Sequence, residues 1–132
     1  MDLDDVIAAV VTVEETISGV TVFSNPPESA NTFPSIINLE KTMGNDLQAA
    51  PDVFQQEYVI AILVLQKRAN LPTAVGALRD YPRLLAAAFA ADRSLGGECL
   101  MCLFQGGALS TIEWNGTPYL GWECTLRVVD VG

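Results

Sequence analysis

The thiols are the residues of this chain most suited to chemistry. Cys99 and Cys102 have the C-x-x-C spacing of metal and redox sites, and Cys124 is an odd third cysteine. The chain has no histidine and no second C-x-x-C, so a zinc site would lack ligands. Both residues fall in a predicted strand, where positions three apart point to opposite faces. We therefore expect buried free thiols, which suit synthesis in a reducing cytoplasm.

Adjacent acids are the next candidates for catalysis. Asp4-Asp5 and Glu14-Glu15 fall on a predicted helix, where adjacent side chains diverge, so we interpret both pairs as acids of a solvated face. The commonest general base is missing without histidine, and no serine lies in a G-x-S-x-G elbow. Neither Gly-Gly pair has the spacing of a phosphate-binding loop. The sequence predicts no enzyme, no cofactor and no metal site.

Composition bounds the class of protein. The chain has 132 residues, of which 50% are hydrophobic and 17% charged, and this predicts a single globular domain over residues 1–132. No apolar run approaches the roughly 20 residues of a membrane helix, and no basic segment opens a signal peptide. The net charge of −9 argues against a surface that grips nucleic acid; it keeps the chain soluble or repels DNA.

One apolar stretch must form the centre of the fold. In a strand from Gln55 to Gln66, Tyr58, Ile60, Ile62 and Val64 lie on one face, and the alternate residues from Val59 to Leu65 lie on the other. Because both faces are apolar, both need cover from helices, a second sheet or a neighbouring subunit.

The rest of the chain supplies the other elements of an α+β fold. The spacing predicts a mixed, mostly antiparallel sheet of about six strands with helices packed on one face, in the order α-β-β-β-α-β-β-β. Predicted helical segments are Leu3–Ile17, Ala74–Arg79 and Pro82–Ala91; predicted strands are Val20–Phe23, Ser35–Glu40, Gln55–Gln66, Glu98–Phe104, Leu109–Trp114 and Thr117–Val128; predicted loops and turns are 24–34, 41–52, 105–107 and the type I′ turn Asn115-Gly116.

Three aromatic residues are candidate interface residues. Phe33 ends the proline-rich loop and has no periodic partner, so it is either a core plug or an exposed contact. Trp114 and Tyr119 flank the predicted hairpin turn, where aromatic side chains either anchor a partner or pair across strands within the core.

The order of these elements, together with several short phrases, resembles a known family. The phrases are Phe33-Pro34, Asn70-Leu71-Pro72, Leu95-Gly96-Gly97, Tyr119-Leu120-Gly121 and Thr125-Leu126-Arg127-Val128. The chain resembles, over nearly its whole length, the small tail-terminator or tail-completion proteins of long-tailed bacteriophages and the related joining proteins of the head–tail neck.

The resemblance implies a structural virion protein without catalytic residues. Members of that family form a ring, commonly hexameric, which caps the tail tube and presents a surface to the filled head. The implied partners are further copies of the chain, the tail tube protein and a head-completion or neck protein. DNA passes through without specific binding, and the protein is located in the virion tail or neck after assembly in the host cytoplasm.

A ring of this kind would use two different surfaces and enclose a lumen. Head-to-tail contacts need two complementary patches, for which the proline-rich loop and the hairpin are the candidates. An acidic lumen would let DNA slide without sticking, and the candidate lumen acids are Glu40, Asp46, Asp52 and Glu57.

Other functions compete with this one. The chain could be another neck or head-completion protein. It could also be an acidic DNA-mimic inhibitor, although its acids are scattered and its hydrophobic content is high. A third possibility is a small-molecule-binding or enzymatic α+β oligomer with a pocket under the sheet.

Overall fold

A computed structural model describes residues 2–28, 33–50, 53–68 and 71–131 of the chain. In order, its elements are α1 (Leu3–Glu14), β1 (Thr21–Phe23), β2 (Ser35–Ala50), β3 (Val53–Gln66), α2 (Leu71–Leu78), α3 (Tyr81–Ala91), β4 (Met101–Trp114) and β5 (Thr117–Val131). No helix in these described ranges is long and apolar enough to cross a membrane.

The strands form one mixed sheet in the order β1-β2-β3-β5-β4. Only β1 and β2 are parallel, whereas the other three pairs are antiparallel. The predicted α+β class and the mostly antiparallel sheet are therefore confirmed. The predicted number of about six strands is wrong, because the described sheet has five.

A bulge within β4 accounts for the missing strand. The predicted turn at 105–107 does not separate two strands, because the pairing with β5 resumes after it: Phe104 lies opposite Leu126, and Gly107 lies opposite Cys124. Two residues of β4, Gln105 and Gly106, therefore lie opposite one residue of β5, Thr125, and Gly106 accommodates the extra residue at a φ of +79°. A bulge with glycine in the left-handed region looks in sequence like a turn.

The strand β2 is also longer than predicted. Residues 41–50 were expected in a loop, yet β2 pairs with β3 from Ser35 opposite Leu65 to Ala50 opposite Val53, with irregularities after Glu40 and Asp46. The Gly44-Asn45-Asp46 segment has weak strand propensity, but the long β3 supplies backbone partners along its length. Pro51 and Asp52 lie outside the described residues.

All three helices pack on one side of the sheet, which we call the helix side. Asp2 caps α1 by accepting hydrogen bonds from the N–H groups of Asp4 at 2.9 Å and Asp5 at 3.3 Å. The helix ends at Glu14 rather than at the predicted Ile17. The large core on this side joins α1, α2 and α3 to the sheet.

The predicted alternation along β3 is confirmed. Ile60, Ile62 and Val64 belong to the helix-side core. Leu63 and Leu65 belong to a separate cluster on the opposite face, which we call the helix-free side. The central strand is thus apolar on both faces, and the helices cover only one of them.

Candidate assembly surface

A loop and a hairpin cover one end of the helix-free side. The Asn115-Gly116 turn joins β4 and β5 with φ values of +49° and +83°, as the predicted type I′ turn requires. It places Trp114 at the end of β4, where the indole Nε1–H donates a 2.8 Å hydrogen bond to the carbonyl of Pro27. The proline-rich loop and the hairpin are therefore tied to each other within one chain.

The three candidate interface residues meet in this cluster. The rings of Phe33 and Tyr119 have centroids 5.5 Å apart, and both contact the group of Ile37, Leu63 and Leu65. Tyr119 is buried, whereas Phe33 and Trp114 are half-buried. In the isolated chain Phe33 therefore acts as a core plug, and a contact of these aromatic residues with a partner stays a prediction.

The other end of the helix-free side has less cover. Val59, Met101 and Leu103 are half-buried there and belong to neither core cluster. Beside them Arg127 donates two hydrogen bonds to Glu57, from Nε to Oε1 at 2.7 Å and from Nη2 to Oε2 at 2.8 Å. The Arg127 hydrogen bond lowers the pKa of the Glu57 carboxyl, so this part of the face carries a paired, ionised couple.

The candidate lumen acids are not gathered on one surface. Glu40 is exposed and lies opposite Ile60, so it is on the helix side. Glu57 is on the helix-free side, because side chains alternate along β3. Asp46 lies on β2 opposite Gln55, and Asp52 falls outside the described residues. A lumen lined by both Glu40 and Glu57 is incompatible with a sheet that presents a single face to it.

One acid lies where the sequence predicted solvent. The sequence predicts Glu14 on a solvated helix face, but its side chain is fully buried, so that prediction is wrong. Asn38 on β2 donates from Nδ2 to Glu14 Oε1 at 2.7 Å, and no described group donates to Glu14 Oε2 or Asn38 Oδ1. Burial raises the pKa of Glu14 to about 8.

The position of Glu14 was visible in the sequence. It follows Ile7 by seven residues and Val10 by four, so it occupies the buried stripe of α1. Glu14 Oε2 and Asn38 Oδ1 both lack a hydrogen-bond donor among the described residues, and a protonated Glu14 carboxyl supplies one. Glu14 and Asn38 therefore link α1 to β2 through a neutral acid and an amide.

The cysteines have the environment of structural thiols. Cys99, Cys102 and Cys124 are free and buried, as predicted. Cys99 precedes β4 rather than lying within a strand, and it shares the helix-side core with Cys102, so the expected opposite faces are wrong. Burial raises the pKa of Cys99 and of Cys124 to about 11, which keeps these thiols protonated and weakly nucleophilic.

Clefts in the described part of the chain are open and mostly small. One cleft of about 510 Å³ lies beside the loop–hairpin cluster and is lined by Pro27, Glu28, Trp114 and Asn115. A narrower notch of about 110 Å³ lies between α3 and β4. Within the described residues, no group of three or more histidine, cysteine or acidic side chains is placed to hold a metal ion.

Sequence reasoning missed two exposed residues at the sheet edges. Met43 on β2 is 59% exposed and Leu109 on β4 is 37% exposed. The sequence predicts Met43 in a loop and Leu109 as an ordinary strand residue. Edge positions depend on strand order, which alternation within one strand does not reveal.

Comparison with known proteins adds no relative: no family model matches the chain, and no curated protein matches it significantly.

Proposed function

We propose that this chain is a structural virion protein of a long-tailed bacteriophage, a tail terminator that caps the tail tube as a homo-oligomeric ring, most simply a hexamer. The observation that carries the proposal is the incomplete cover of the central sheet. Helices bury one side, whereas Val59, Met101 and Leu103 stay half-exposed on the other. A subunit that shares its core with neighbours leaves apolar surface of this kind.

Family resemblance gives this assembly its biological setting. The ring would contact the tail tube protein on one surface and a head-completion or neck protein on the other, and DNA would pass through without specific binding. A net charge of −9 supports a role beside DNA that requires no grip on phosphate. The alternative is that the chain is another neck or head-completion protein, which the same incompletely covered sheet would support equally.

Tube capping tests the proposal directly. The neighbouring genes should encode a tail tube protein and a head-completion protein. Polymerising that tube protein with and without this chain, and measuring tube lengths by negative-stain microscopy, should show shorter tubes with a ring at one end. Unchanged tube lengths with no end-bound density would refute the terminator role.

The lumen acids need separate tests because they lie on different surfaces. Reversing Glu57 to Lys changes the helix-free side, and reversing Glu40 to Lys changes the helix side. If the helix-free side lines the channel, only the Glu57 variant should slow DNA ejection from assembled particles. Equal ejection from both variants and the wild type would contradict an acidic lining at either position.

The cleft at the loop–hairpin cluster favours a second candidate function. Its volume of about 510 Å³ would hold a small molecule against Trp114, with Glu28 and Asn115 as polar partners. Native mass spectrometry of the protein purified from its host would then show a bound metabolite. Loss of that mass in a Trp114→Ala variant would favour binding, and an unliganded wild type would exclude it.

A further inference from the structure

The sheet ends in two strand edges with free backbone groups. β4 is the outermost strand at one end. At the other end β1 covers only Ser35, Ile36 and Ile37, so the edge of β2 has no sheet partner from Asn38 to Ala50 in the described structure. Free strand edges are templates for pairing with another chain.

The free part of β4 is also bounded. Near the start of β4, the Cys102 N–H donates a 2.7 Å hydrogen bond to the carbonyl of Arg93, so the loop after α3 occupies the edge there. From Phe104 to Trp114, β4 has no outer sheet partner among the described residues. Both edges therefore offer free segments of similar length.

We propose that these two edges pair with each other between neighbouring copies of this chain, β4 (Phe104–Trp114) of one copy adding antiparallel to β2 (from Asn38) of the next. The inference rests on the ring of the proposed function and names the surfaces that close it. It replaces the proline-rich loop and the hairpin as the two ring patches, because those two segments bind each other within one chain.

Strand directions permit this arrangement. β2 and β3, β3 and β5, and β5 and β4 are successive antiparallel pairs, so β2 and β4 run in opposite directions. Rotation of a copy about an axis along the strands brings its β2 beside β4 in antiparallel orientation. All helices then stay on the same side, and the contact is head-to-tail, as a closed ring requires.

Exposed hydrophobic side chains mark both edges. Met43 lies opposite Tyr58 and Leu109 lies opposite Trp122, and both partners pack against the helix-side core. Met43 and Leu109 are therefore on the helix side, one at each end of the sheet. Edge pairing that sets them opposite each other buries both at a single contact.

Charge favours a second copy as the occupant. Two copies of a chain with a net charge of −9 repel each other, so they can approach most closely through surfaces that carry little net charge. No charged residue or proline lies between Phe104 and Ile112, so β4 lacks the side chains that usually protect an edge. On the facing β2 edge, Glu40 and Lys41 balance each other, so Asp46 on β2 and Glu113 near the end of β4 are the two unbalanced charges of the contact.

Pairing Met43 of one copy with Leu109 of the next gives a strand tilt that is found in closed sheets. Leu109 lies in the cross-strand row of Trp122, Val64 and Ile36. Pairing it with Met43 shifts each copy by about six residues along the strands, or about 20 Å, for every four strands (β2, β3, β5 and β4), which span about 19 Å. The resulting strand tilt is about 45°, at the upper end of the range of closed barrels. This shift also carries β4 as far as Glu113 past the segment that β1 pairs, and it carries the Arg93 cap toward the end of β2.

Cysteine cross-linking tests the pairing. A chain with both Met43→Cys and Leu109→Cys should form, on mild oxidation, a ladder of disulfide-linked oligomers that ends at the ring size. Mixing the two single variants should stop at dimers. A monomeric double variant would overturn the proposal, and so would dimers of the Leu109→Cys chain alone, because they would mean that β4 pairs with itself.

A charge substitution gives an independent test without new thiols. Leu109→Lys should weaken self-association at least tenfold in sedimentation equilibrium. Leu71→Lys is the matched control, since Leu71 is a comparably exposed hydrophobic residue (48%) on α2, away from both edges. Equal self-association of the two variants would contradict edge pairing, provided that circular dichroism shows both to be folded.

The two proposals fail separately. Rings that survive Leu109→Lys would refute edge pairing and leave the ring itself intact. Head-to-tail cross-links in a protein that caps no tail tube would support edge pairing and refute the terminator role. A wild-type chain that stays monomeric at every soluble concentration, and on tail tubes, would refute both.

Discussion

The buried carboxyl of Glu14 should make the stability of this protein depend steeply on pH. Burial raises its pKa from 4.5 to about 8, which outweighs the opposing effect of the hydrogen bond from Asn38; the nearby Glu15 raises it further. The folded state therefore holds a proton at neutral pH that the unfolded state has released. Replacing Glu14 with Gln keeps the shape of the side chain and removes its titration.

The magnitude follows from proton linkage. Because the pKa is higher in the folded state, the stabilisation is complete below pH 4.5 and is lost as the pH rises toward 8. The slope is about 1.4 kcal/mol per pH unit, so Glu14 should lower the free energy of unfolding by about 3–4 kcal/mol between pH 5 and pH 8. This loss is a large part of the stability of a small domain.

The difference between variant and wild type isolates this contribution. Urea unfolding, followed by tryptophan fluorescence at several pH values from 5 to 8, gives both free energies under identical conditions. Relative to wild type, Glu14→Gln should gain about 3–4 kcal/mol as the pH rises over this interval. Its amide also donates a hydrogen bond, as the protonated carboxyl does.

Glu15→Gln is the matched control. It removes the same formal charge from the next residue of the chain, where the side chain is exposed. Its stability relative to wild type should change little between pH 5 and pH 8. If the Glu14→Gln and wild-type free energies ran parallel across this range, the carboxyl would not be protonated in the folded state, and the linkage argument would be refuted.

Three further predictions concern the backbone of β4, the Trp114 hydrogen bond and the Arg127–Glu57 ion pair. Gly107→Ala should lower the free energy of unfolding by at least about 3 kcal/mol, because the added Cβ would collide with a backbone carbonyl of β5. Gly76→Ala in α2 is the control: its Cβ would enter open space, so this variant should be more stable than wild type by about 0.5–1 kcal/mol. Urea unfolding of both variants measures the difference. Trp114→Phe removes the indole N–H that holds the proline-rich loop, and should cost about 1 kcal/mol in the same assay. Arg127→Gln should raise the pKa of Glu57 toward its ordinary value in an NMR titration, and its small cost in stability should shrink as the pH falls below 4.5.

Local patterns predicted the layers of this fold well. The alternation from Tyr58 to Leu65 gave the correct faces of β3, and helical spacing placed the start of α1 at Leu3. Asn115-Gly116 predicted the β4–β5 hairpin, because few sequences tolerate positive φ at two successive residues. Each of these features depends on a few neighbouring residues.

Features that depend on distant pairing were missed. Gly106 and Gly107 read as a turn, and only the return of β5 alongside shows that they form a bulge. The segment after Glu40 has weak strand propensity and becomes a strand because β3 runs beside it. The prediction for Glu14 fails for a different reason: its charge favours solvent, whereas its spacing from Ile7 and Val10 places it on the apolar stripe of α1.

Only part of the apolar surface on the helix-free side of the sheet remains for a partner to cover. Phe33, Trp114 and Tyr119 cover one end of the helix-free side from within the chain. This intramolecular packing reduces the apolar surface left for a partner to the far end of that face and to the two sheet edges. An edge contact satisfies free backbone groups, which a contact between faces would leave in water, and it adds the burial of Met43 and Leu109. The proposed edge pairing would therefore satisfy backbone groups and bury hydrophobic side chains at the same contact.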